Sequence, residues 1–285
     1  LMGLPQTVAY SCMVYNKALY AQAGITEVPT TWTELDAALE KLSKLDGIIP
    51  LTTQYKTNWA IARVATNFVA SYKGADWTNS WAETTDPFSD AQLLTTLDNF
   101  KSAIDKGYCD PDLMSSDWDL QAADFAAGKI GTYIGGSYIY ATMISLGMNP
   151  EDIGFYPYPV ADMREDGKTA VYVTSGFCFG VSKDTKNYEA SLALVDFLAE
   201  NYAKYTNQAP AVEGAEAGLP VLTELMSDSP AVVDAVRATE KYTAVYNTAG
   251  FHPAAIVQEY VISDSPDEVI AKYNEIWNSA VAENE

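Results

Sequence analysis

The chain has 285 residues, of which 48% are hydrophobic and 19% are charged, and its formal net charge at pH 7 is −21. This length and apolar content allow one large or two ordinary domains with buried cores. Only three arginines occur, so the sequence offers no basic patch for phosphates and argues against a nucleic-acid partner and against an anionic ligand.

The sequence also lacks the residues that a metal or cofactor site would need. Cys12, Cys109 and Cys178 lie far apart, and His252 is the one histidine, so thiols and imidazoles cannot form a zinc site. We predict no metal and no cofactor. Cys12 and Cys178 lie in apolar runs that predict core positions, whereas Cys109 lies in a predicted loop; nothing indicates a disulfide.

The first predicted elements are a buried strand and two helices. Residues 7–15 form an apolar run, and Asn16 opens a short helix that Gly24 closes. Thr31 and Glu34 have the spacing of a capping box and predict the start of a second helix. No apolar stretch is long enough to span a membrane, and no signal peptide or lipid-attachment cysteine stands at the start.

A short strand over residues 48–53 is followed by a turn rich in polar and aromatic side chains. This turn contains Gln54, Tyr55 and Trp59, and a helix is predicted from about residue 59 to 71. The ends of strands in open α/β sheets carry ligand contacts, which favours a binding role. The alternative is a surface turn with Trp59 in the core.

The middle of the chain contains a loop and two further helices. Residues 73–90 lack periodicity and predict a loop with small strands, after which Ser89 and Gln92 predict a capped helix over 90–106. The acidic run 110–119 suggests a calcium-binding site or a site with paired carboxylates. It lacks, however, the glycine and the glutamate of an EF-hand loop. The simpler interpretation is that Asp117 caps a helix over 118–127.

Three predicted strands follow, over residues 130–135, 154–160 and 170–181. The first leads into a Gly-Gly-Ser turn, which allows close backbone approach, and then into Tyr138. The last is interrupted at Ser175 and Gly176, which predicts a hinge or, alternatively, a β-bulge.

The final third is predicted to be helical. Helices are expected over 187–205, 230–242, 253–262 and 266–282, with a Gly-, Pro- and Ala-rich connection over 206–220. A loop over 246–253 contains Tyr246, Asn247 and Phe251 and is a further candidate for ligand contacts.

Three ordered motifs resemble one known family. They are the segment 14–35, with its Tyr-Asn-Lys and Pro-Thr-Thr-Trp-Thr-Glu-Leu sequences, the segment 125–138, and the segment 154–183. The set resembles the family 1 extracellular solute-binding proteins, the sugar receptors of ABC importers. Tyr138 stands where that family usually has Trp, and Thr132 where it usually has Met.

The resemblance implies an α/β fold of the periplasmic-binding-protein type II, mainly the second lobe with an incomplete first lobe. Residues 1–175 would form the second lobe with its crossover strand, 176–220 a remnant of the first lobe, and 221–285 a helical return. The chain would then be N-terminally truncated. We expect segment 176–220 to be displaced or mobile and the isolated chain to bind sugar weakly if at all.

The resemblance further implies extracellular or periplasmic binding of a neutral saccharide for delivery to the membrane subunits of an ABC transporter. Membrane attachment would occur only through a lipid anchor absent from this chain. No catalysis is expected; the alternatives are a glycoside hydrolase, a receptor for another neutral or cationic solute, or a helical scaffold. The expected ligand-binding residues are Tyr10, Gln54, Tyr55, Trp59, Tyr138, Tyr246, Asn247 and Phe251, with the hinge at Ser175 and Gly176.

Overall fold

The structure is a computed structural model that describes residues 3–215, 219 and 222–285. It confirms the predicted α/β class, with 51% helix and 15% strand. Segment 73–90 contributes to the helical share, because it forms short helical turns where a loop with small strands was expected.

The strands are β1 (Leu4–Pro5), β2 (Thr7–Asn16), β3 (Ile49–Thr52), β4 (Ile130–Gly136), β5 (Ile153–Tyr156), β6 (Ala170–Ser175), β7 (Cys178–Phe179), β8 (Ala209–Pro210) and β9 (Ala231–Asp234). The longer helices are α2 (Trp32–Leu42), α6 (Ala91–Asp105), α9 (Tyr188–Tyr205), α11 (Glu240–Ala249) and α13 (Pro266–Glu283). The shorter helices are α1 (Lys17–Gln22), α3 (Asn58–Ala65), α4 (Asn67–Lys73), α5 (Trp77–Ser80), α7 (Trp118–Ala126), α8 (Ile139–Ser145), α10 (Leu222–Leu225) and α12 (Ala254–Ile262).

Strand β2 is the centre of the main sheet, whose order is β3-β4-β2-β6-β9. It pairs antiparallel with β4, β5, β6 and β8, while β3–β4 and β6–β9 are parallel pairs. Alternate β2 residues enter different cores: Met13 belongs to the larger one, and Cys12 and Val14 to the smaller. Because successive side chains of a strand point to opposite faces, β2 separates the two cores.

The helix starts follow the sequence signals in two cases and differ in one. The Asn16 side chain accepts from the Leu19 N–H at 3.0 Å, and Thr31 and Glu34 form the predicted capping box. Helix α6 is capped by Asp90, not by Ser89, since the Asp90 carboxylate accepts from the N–H groups of residues 92 and 93. The expectation of a Ser89 cap was therefore wrong.

Two predicted helices differ in the structure. The helix expected over 59–71 is divided into α3 and α4 at Thr66, whose hydroxyl donates to the Ala62 carbonyl. The prediction of a helix over 230–242 was wrong except at its last three residues: β9 pairs there with the open edge of β6, and α11 begins only at Glu240. The β-branched Val232 and Val233 suit a strand at a sheet edge.

The strand expected over 170–181 is interrupted where the sequence predicted. β6 ends at Ser175, and the Gly176 N–H donates to the Thr7 carbonyl at 2.8 Å. A Cβ on Gly176 would lie 2.2 Å from the Thr7 hydroxyl, so the close approach of β2 requires glycine. Beyond this break lies Cys178, which was expected in the core. The structure instead places it on the surface, exposed. Strand β5 is also shorter than the expected strand over 154–160.

Helix α9 presents large apolar side chains to the surface. Leu194, Phe197 and Tyr205 are each more than half exposed, and only Ala199 and Ala203 are buried among its residues. This helix lies in segment 176–220, for which displacement or mobility stays a prediction. No helix in the described ranges combines the length and the apolar character needed to cross a membrane.

Candidate ligand-binding site

Three aromatic side chains and one arginine meet beyond the ends of β3 and β4. The ring centroids of Trp59 and Trp118 lie 6.2 Å and 6.0 Å from that of Tyr138. The Arg63 guanidinium carbon lies 4.7 Å from the ring centroids of both Trp59 and Tyr138. We call these four residues the aromatic cluster. Trp59 is 50% exposed, so the cluster offers an aromatic surface to solvent.

The backbone around Gly136 places Tyr138 in this cluster. The Ser137 N–H donates to the Tyr10 carbonyl at 2.8 Å, and the Tyr10 N–H donates to the Ser137 hydroxyl at 3.1 Å. A Cβ on Gly136 would lie 2.7 Å from both the Tyr10 carbonyl oxygen and the Tyr138 ring. The turn therefore needs glycine for the close approach that the sequence predicted.

Helix α3 supplies the other half of the aromatic cluster. Trp59 and Arg63 are four residues apart on α3 and so lie on the same helical face. Arg63 donates a hydrogen bond from Nη1 to the Tyr138 hydroxyl, which joins α3 to the turn after β4. Stacking of a guanidinium on two aromatic rings is a favourable cation–π arrangement.

Buried phenols lie beneath the aromatic cluster. Tyr133 and Tyr158 are no more than 1% exposed, and their hydroxyls have no hydrogen-bond partner of good geometry among the described residues. Burial raises the pKa of Tyr133, Tyr138 and Tyr158, and the positive charge of Arg63 opposes that rise. These phenols therefore stay protonated and uncharged at neutral pH.

An open groove of about 470 Å³ extends from Trp59 to the C-terminal helices. Its lining residues are Trp59, Ala62, Thr66, Asn67, Thr78, Tyr172, Ala238, Tyr242, Thr243, Tyr246, His252 and Pro253. A neighbouring hollow of about 950 Å³ shares Ala238 and Thr243 with the groove and includes Asn247. The two hollows together form an elongated depression beside the aromatic cluster.

The far wall of the groove is formed by two stacked tyrosines. Tyr242 and Tyr246 have centroids 6.0 Å apart at an interplanar angle of 18°. Burial raises the pKa of Tyr242 to about 12 and lowers that of His252, so both are uncharged at neutral pH. The groove lining contains aromatic rings, hydroxyls and an amide, and no acidic side chain.

The eight predicted ligand-binding residues are not all brought together. Trp59 and Tyr138 meet in the aromatic cluster, Tyr246 lines the groove, and Asn247 lines the neighbouring hollow. Tyr246 and Asn247 belong to helix α11, so the loop expected over 246–253 begins only at Gly250. Tyr10 is partly exposed on β2, beside the turn that carries Tyr138.

Two of the predicted residues are buried inside the protein, and a third is half-buried. Tyr55 is fully buried, and its hydroxyl donates to the Gln258 carbonyl at 2.5 Å. Gln54 is also fully buried, and neither of its amide atoms has a hydrogen-bond partner of good geometry. Phe251 packs against Tyr273 and neighbouring aromatic rings of the larger core. Gln54 and Tyr55 therefore present no ligand contact at the surface in this conformation, whereas Phe251 stays partly exposed beside His252 of the groove lining.

Several residues of the site were not predicted from the sequence. Arg63 was noted only as one of three arginines, although its spacing from Trp59 on a predicted helix was a usable signal. Trp118 was interpreted as part of a helix start, and Tyr242 as a helix end. The acidic segment itself fits the simpler interpretation, because the Asp117 carboxylate caps α7 by accepting from the Leu120 N–H at 3.2 Å. The described residues contain no group of side chains suited to hold a metal ion.

Comparison with curated proteins identifies relatives that are longer than this chain. A binding protein of Brucella abortus (strain 2308) is 27% identical over 212 residues, which are 72% of this chain and 48% of the relative. An ABC transporter extracellular-binding protein of Pyrococcus horikoshii is 24% identical over 203 residues, 70% of this chain and 44% of the relative. The chain thus spans about half the length of the curated relatives that it matches.

Comparison with solved structures gives the same fold. A manno-oligosaccharide specific solute binding protein from Bifidobacterium animalis subsp. lactis, solved in complex with mannotriose, has a TM-score of 0.84 at 20% sequence identity. The match covers 99% of this chain and 71% of that protein. The family profile described as "Bacterial extracellular solute-binding protein" matches residues 2–205, and this chain belongs to that family.

Proposed function

We propose that the chain is the saccharide-binding part of a receptor that delivers a neutral sugar to an ABC importer. The observation that carries this proposal is the exposed face of Trp59, held beside Tyr138 at the end of an aromatic groove. Aromatic rings present flat apolar faces with polar edges nearby, which suits the C–H faces and hydroxyls of a sugar ring. Tyr138 also occupies the position where the resembled family has an aromatic residue.

The shape of the site favours more than one sugar unit. The groove continues into the hollow that includes Asn247, so stacking at Trp59 and further contacts along α11 can act on successive units. The mannotriose complex of the Bifidobacterium protein supports an oligosaccharide as the ligand class.

The charge distribution supports a neutral ligand. The net charge of −21 disfavours the approach of an anion over long distances. The described groove lining contains no carboxylate that would pair with a cation, and His252 is uncharged at neutral pH. The neighbouring hollow contains one charge of each sign, Arg237 and Glu240, and so has no net charge. Binding would then depend on stacking and on hydrogen bonds to hydroxyls.

The same lining supports binding without catalysis. Glycoside hydrolysis generally requires two carboxyl groups held across the scissile bond. The described lining of the groove contains neither Asp nor Glu, and the neighbouring hollow adds a single carboxylate, Glu240. The family and its relatives are transport proteins, which favours the same interpretation. A hydrolase would need its acid and base from outside the groove.

The proposal includes the place of action. The family description and the Pyrococcus relative support binding outside the cytoplasmic membrane, extracellular or periplasmic, with the membrane subunits of an ABC transporter as partners. Attachment of the whole receptor by a lipid anchor is part of this proposal.

A thermal-shift screen tests the proposal. The protein is heated with neutral mono- and oligosaccharides, and with a neutral amino acid and a polyamine as comparison solutes. A ligand that binds only the native state raises the melting temperature by mass action. We expect a rise with at least one oligosaccharide; a rise only with the amino acid or the polyamine would contradict the saccharide assignment.

A further inference from the structure

The position of Arg63 is unusual in a chain with 38 acidic and 17 basic residues. Its guanidinium lies between Trp59 and Tyr138, 4.7 Å from each ring centroid, and is partly exposed. Among the described residues, no carboxylate lies within ion-pair distance of it. Arg164, by contrast, pairs with Asp166 at 2.8 Å. Acidic residues are abundant, yet within the described ranges none pairs with Arg63.

The aromatic rings stabilise the Arg63 cation in place of a carboxylate. Cation–π contacts with two rings attract the guanidinium without neutralising its charge. The Tyr138 hydroxyl accepts one hydrogen bond from Nη1. A guanidinium carries five N–H donors in a fixed plane, so further donors remain uncommitted within the described part of the chain. These donors belong to the same side chain that stacks on Trp59.

The polar groups below Arg63 are uncharged, as are the aromatic rings beside it. Tyr133 and Tyr158 carry buried hydroxyls with no partner of good geometry, and the charge of Arg63 acts on both. No Asp or Glu contributes to the pKa shift of either phenol or of Tyr138. The charge of Arg63 therefore acts on all three phenols, and Arg63 itself is partly exposed.

We infer that Arg63 is the specificity-determining residue of the site and that it recognises two neighbouring hydroxyls of a sugar unit stacked beside Trp59. This inference rests on the proposed saccharide function. The planar fork of a guanidinium donates two parallel N–H bonds, and two adjacent hydroxyl oxygens can accept one each. Stacking alone accepts many sugar faces, whereas a fixed pair of donors selects sugars with suitably placed hydroxyls.

A neutral diol fits this site better than a carboxylate. The rings already stabilise the cation and solvent still reaches it, so a neutral ligand leaves no unpaired buried charge. The overall charge of −21 opposes the approach of an anion. The experiment must therefore distinguish a neutral sugar from an acidic sugar as the ligand.

The test uses calorimetry on the wild-type protein and on Arg63→Lys and Arg63→Gln variants. The probes are mannotriose, triacetylchitotriose, raffinose and maltotriose, together with a galacturonic acid trimer as the acidic probe. The lysine variant retains the positive charge and the apolar stem but loses the fork. Lys56→Gln is the matched control, because Lys56 is an exposed cation before α3 whose nearest partner is Asp117 at 3.9 Å. Melting temperatures of all variants check that the fold is retained.

We expect at least one neutral trisaccharide to bind, and both Arg63 variants to weaken it about tenfold or more while Lys56→Gln changes it less than twofold. Unchanged binding in Arg63→Lys would overturn the diol assignment and leave the proposed function intact. Tighter wild-type binding of the acidic trimer than of every neutral probe would also overturn it. Binding of none of the saccharides would contradict the proposed function itself.

Discussion

Trp59 and Arg63 lie one helical turn apart on α3, and the Arg63 guanidinium carbon is 4.7 Å from the centre of the Trp59 ring. This contact combines a flat apolar surface and a set of hydrogen-bond donors in one place. A sugar ring needs both, because its C–H face is apolar and its edge carries hydroxyls. The pair therefore supplies both kinds of contact that the proposed neutral ligand would need.

The first prediction concerns the aromatic residue next to this pair. Replacing Tyr138 with Ala removes one stacking face and the hydroxyl that holds Arg63. We expect a loss of about 1–2 kcal/mol of binding free energy, the scale of one aromatic contact, which is roughly a 5- to 30-fold weaker affinity. Calorimetry with the oligosaccharide that gives the largest thermal shift measures it.

Tyr138→Phe is the matched control for that variant. It retains the ring and loses only the hydroxyl, so we expect a smaller loss than with Ala. Equal affinities of the wild type and Tyr138→Ala would remove Tyr138 from the site.

The family motif around Tyr138 was the part of the site that the sequence predicted best. The glycines, the turn and the aromatic residue are contiguous, so local chemistry determines their arrangement. Arg63 and Trp118 join Tyr138 from α3 and α7, and only the packing of these helices on the sheet brings them together. Tyr55 shows the opposite case: it follows a strand end, yet its ring is buried and its hydroxyl bonds to α12.

The second prediction tests the close approach at Gly136. An added Cβ would lie 2.7 Å from the Tyr10 carbonyl oxygen, which belongs to the central strand and cannot shift cheaply. We expect Gly136→Ala to lower the free energy of unfolding by about 1–3 kcal/mol, the usual cost of overpacking. Denaturant unfolding measures it. The control is Gly167→Asn in an exposed turn with open space, where a loss as large as that of Gly136→Ala would argue against steric overlap as the cause.

The third prediction concerns the capping box of α2. The Glu34 carboxylate accepts from the Thr30 N–H at 2.8 Å, and the Thr31 hydroxyl accepts from the Glu34 N–H at 3.2 Å. We expect Thr31→Ala to destabilise the protein by about 1 kcal/mol. The exposed Thr33→Ala serves as control in the same unfolding measurement, and equal effects of the two substitutions would refute a capping role.

The fourth prediction is a pH dependence of stability. Burial lowers the pKa of His252 below its ordinary value of 6.5 in the folded state, so the unfolded chain takes up the proton first as pH falls. The contribution of His252 is therefore complete above about pH 6.5 and is lost as the pH falls through its lowered folded pKa. His252→Asn should flatten the fall in unfolding free energy between pH 7.5 and 5.5. An unchanged slope would show that groups other than His252 cause the fall in unfolding free energy.

Regular elements with strong local signals were predictable, and those set by long-range pairing were not. The start of α2 at Trp32 follows from a capping box within four residues. Strand β9 depends on the open edge of β6, about 60 residues earlier in the chain, and so the same residues were interpreted as helix. The break of α3 at Thr66 likewise follows from a hydroxyl–backbone bond that competes with the helix ladder.

The most direct test of the central claim is a tryptophan fluorescence titration with the oligosaccharide selected by the thermal-shift screen. Trp59 is 50% exposed and Trp118 is partly exposed, whereas Trp32, Trp77, Trp81 and Trp277 are each no more than 9% exposed. A ligand stacking on the aromatic cluster should therefore shift the emission mainly through Trp59 and Trp118. The account predicts a blue shift in the wild type and loss of most of that shift when Trp59→Phe and Trp118→Phe are combined, at ligand concentrations that calorimetry shows to saturate the variant. A full-sized shift in the saturated double variant would place the saccharide elsewhere and contradict the account.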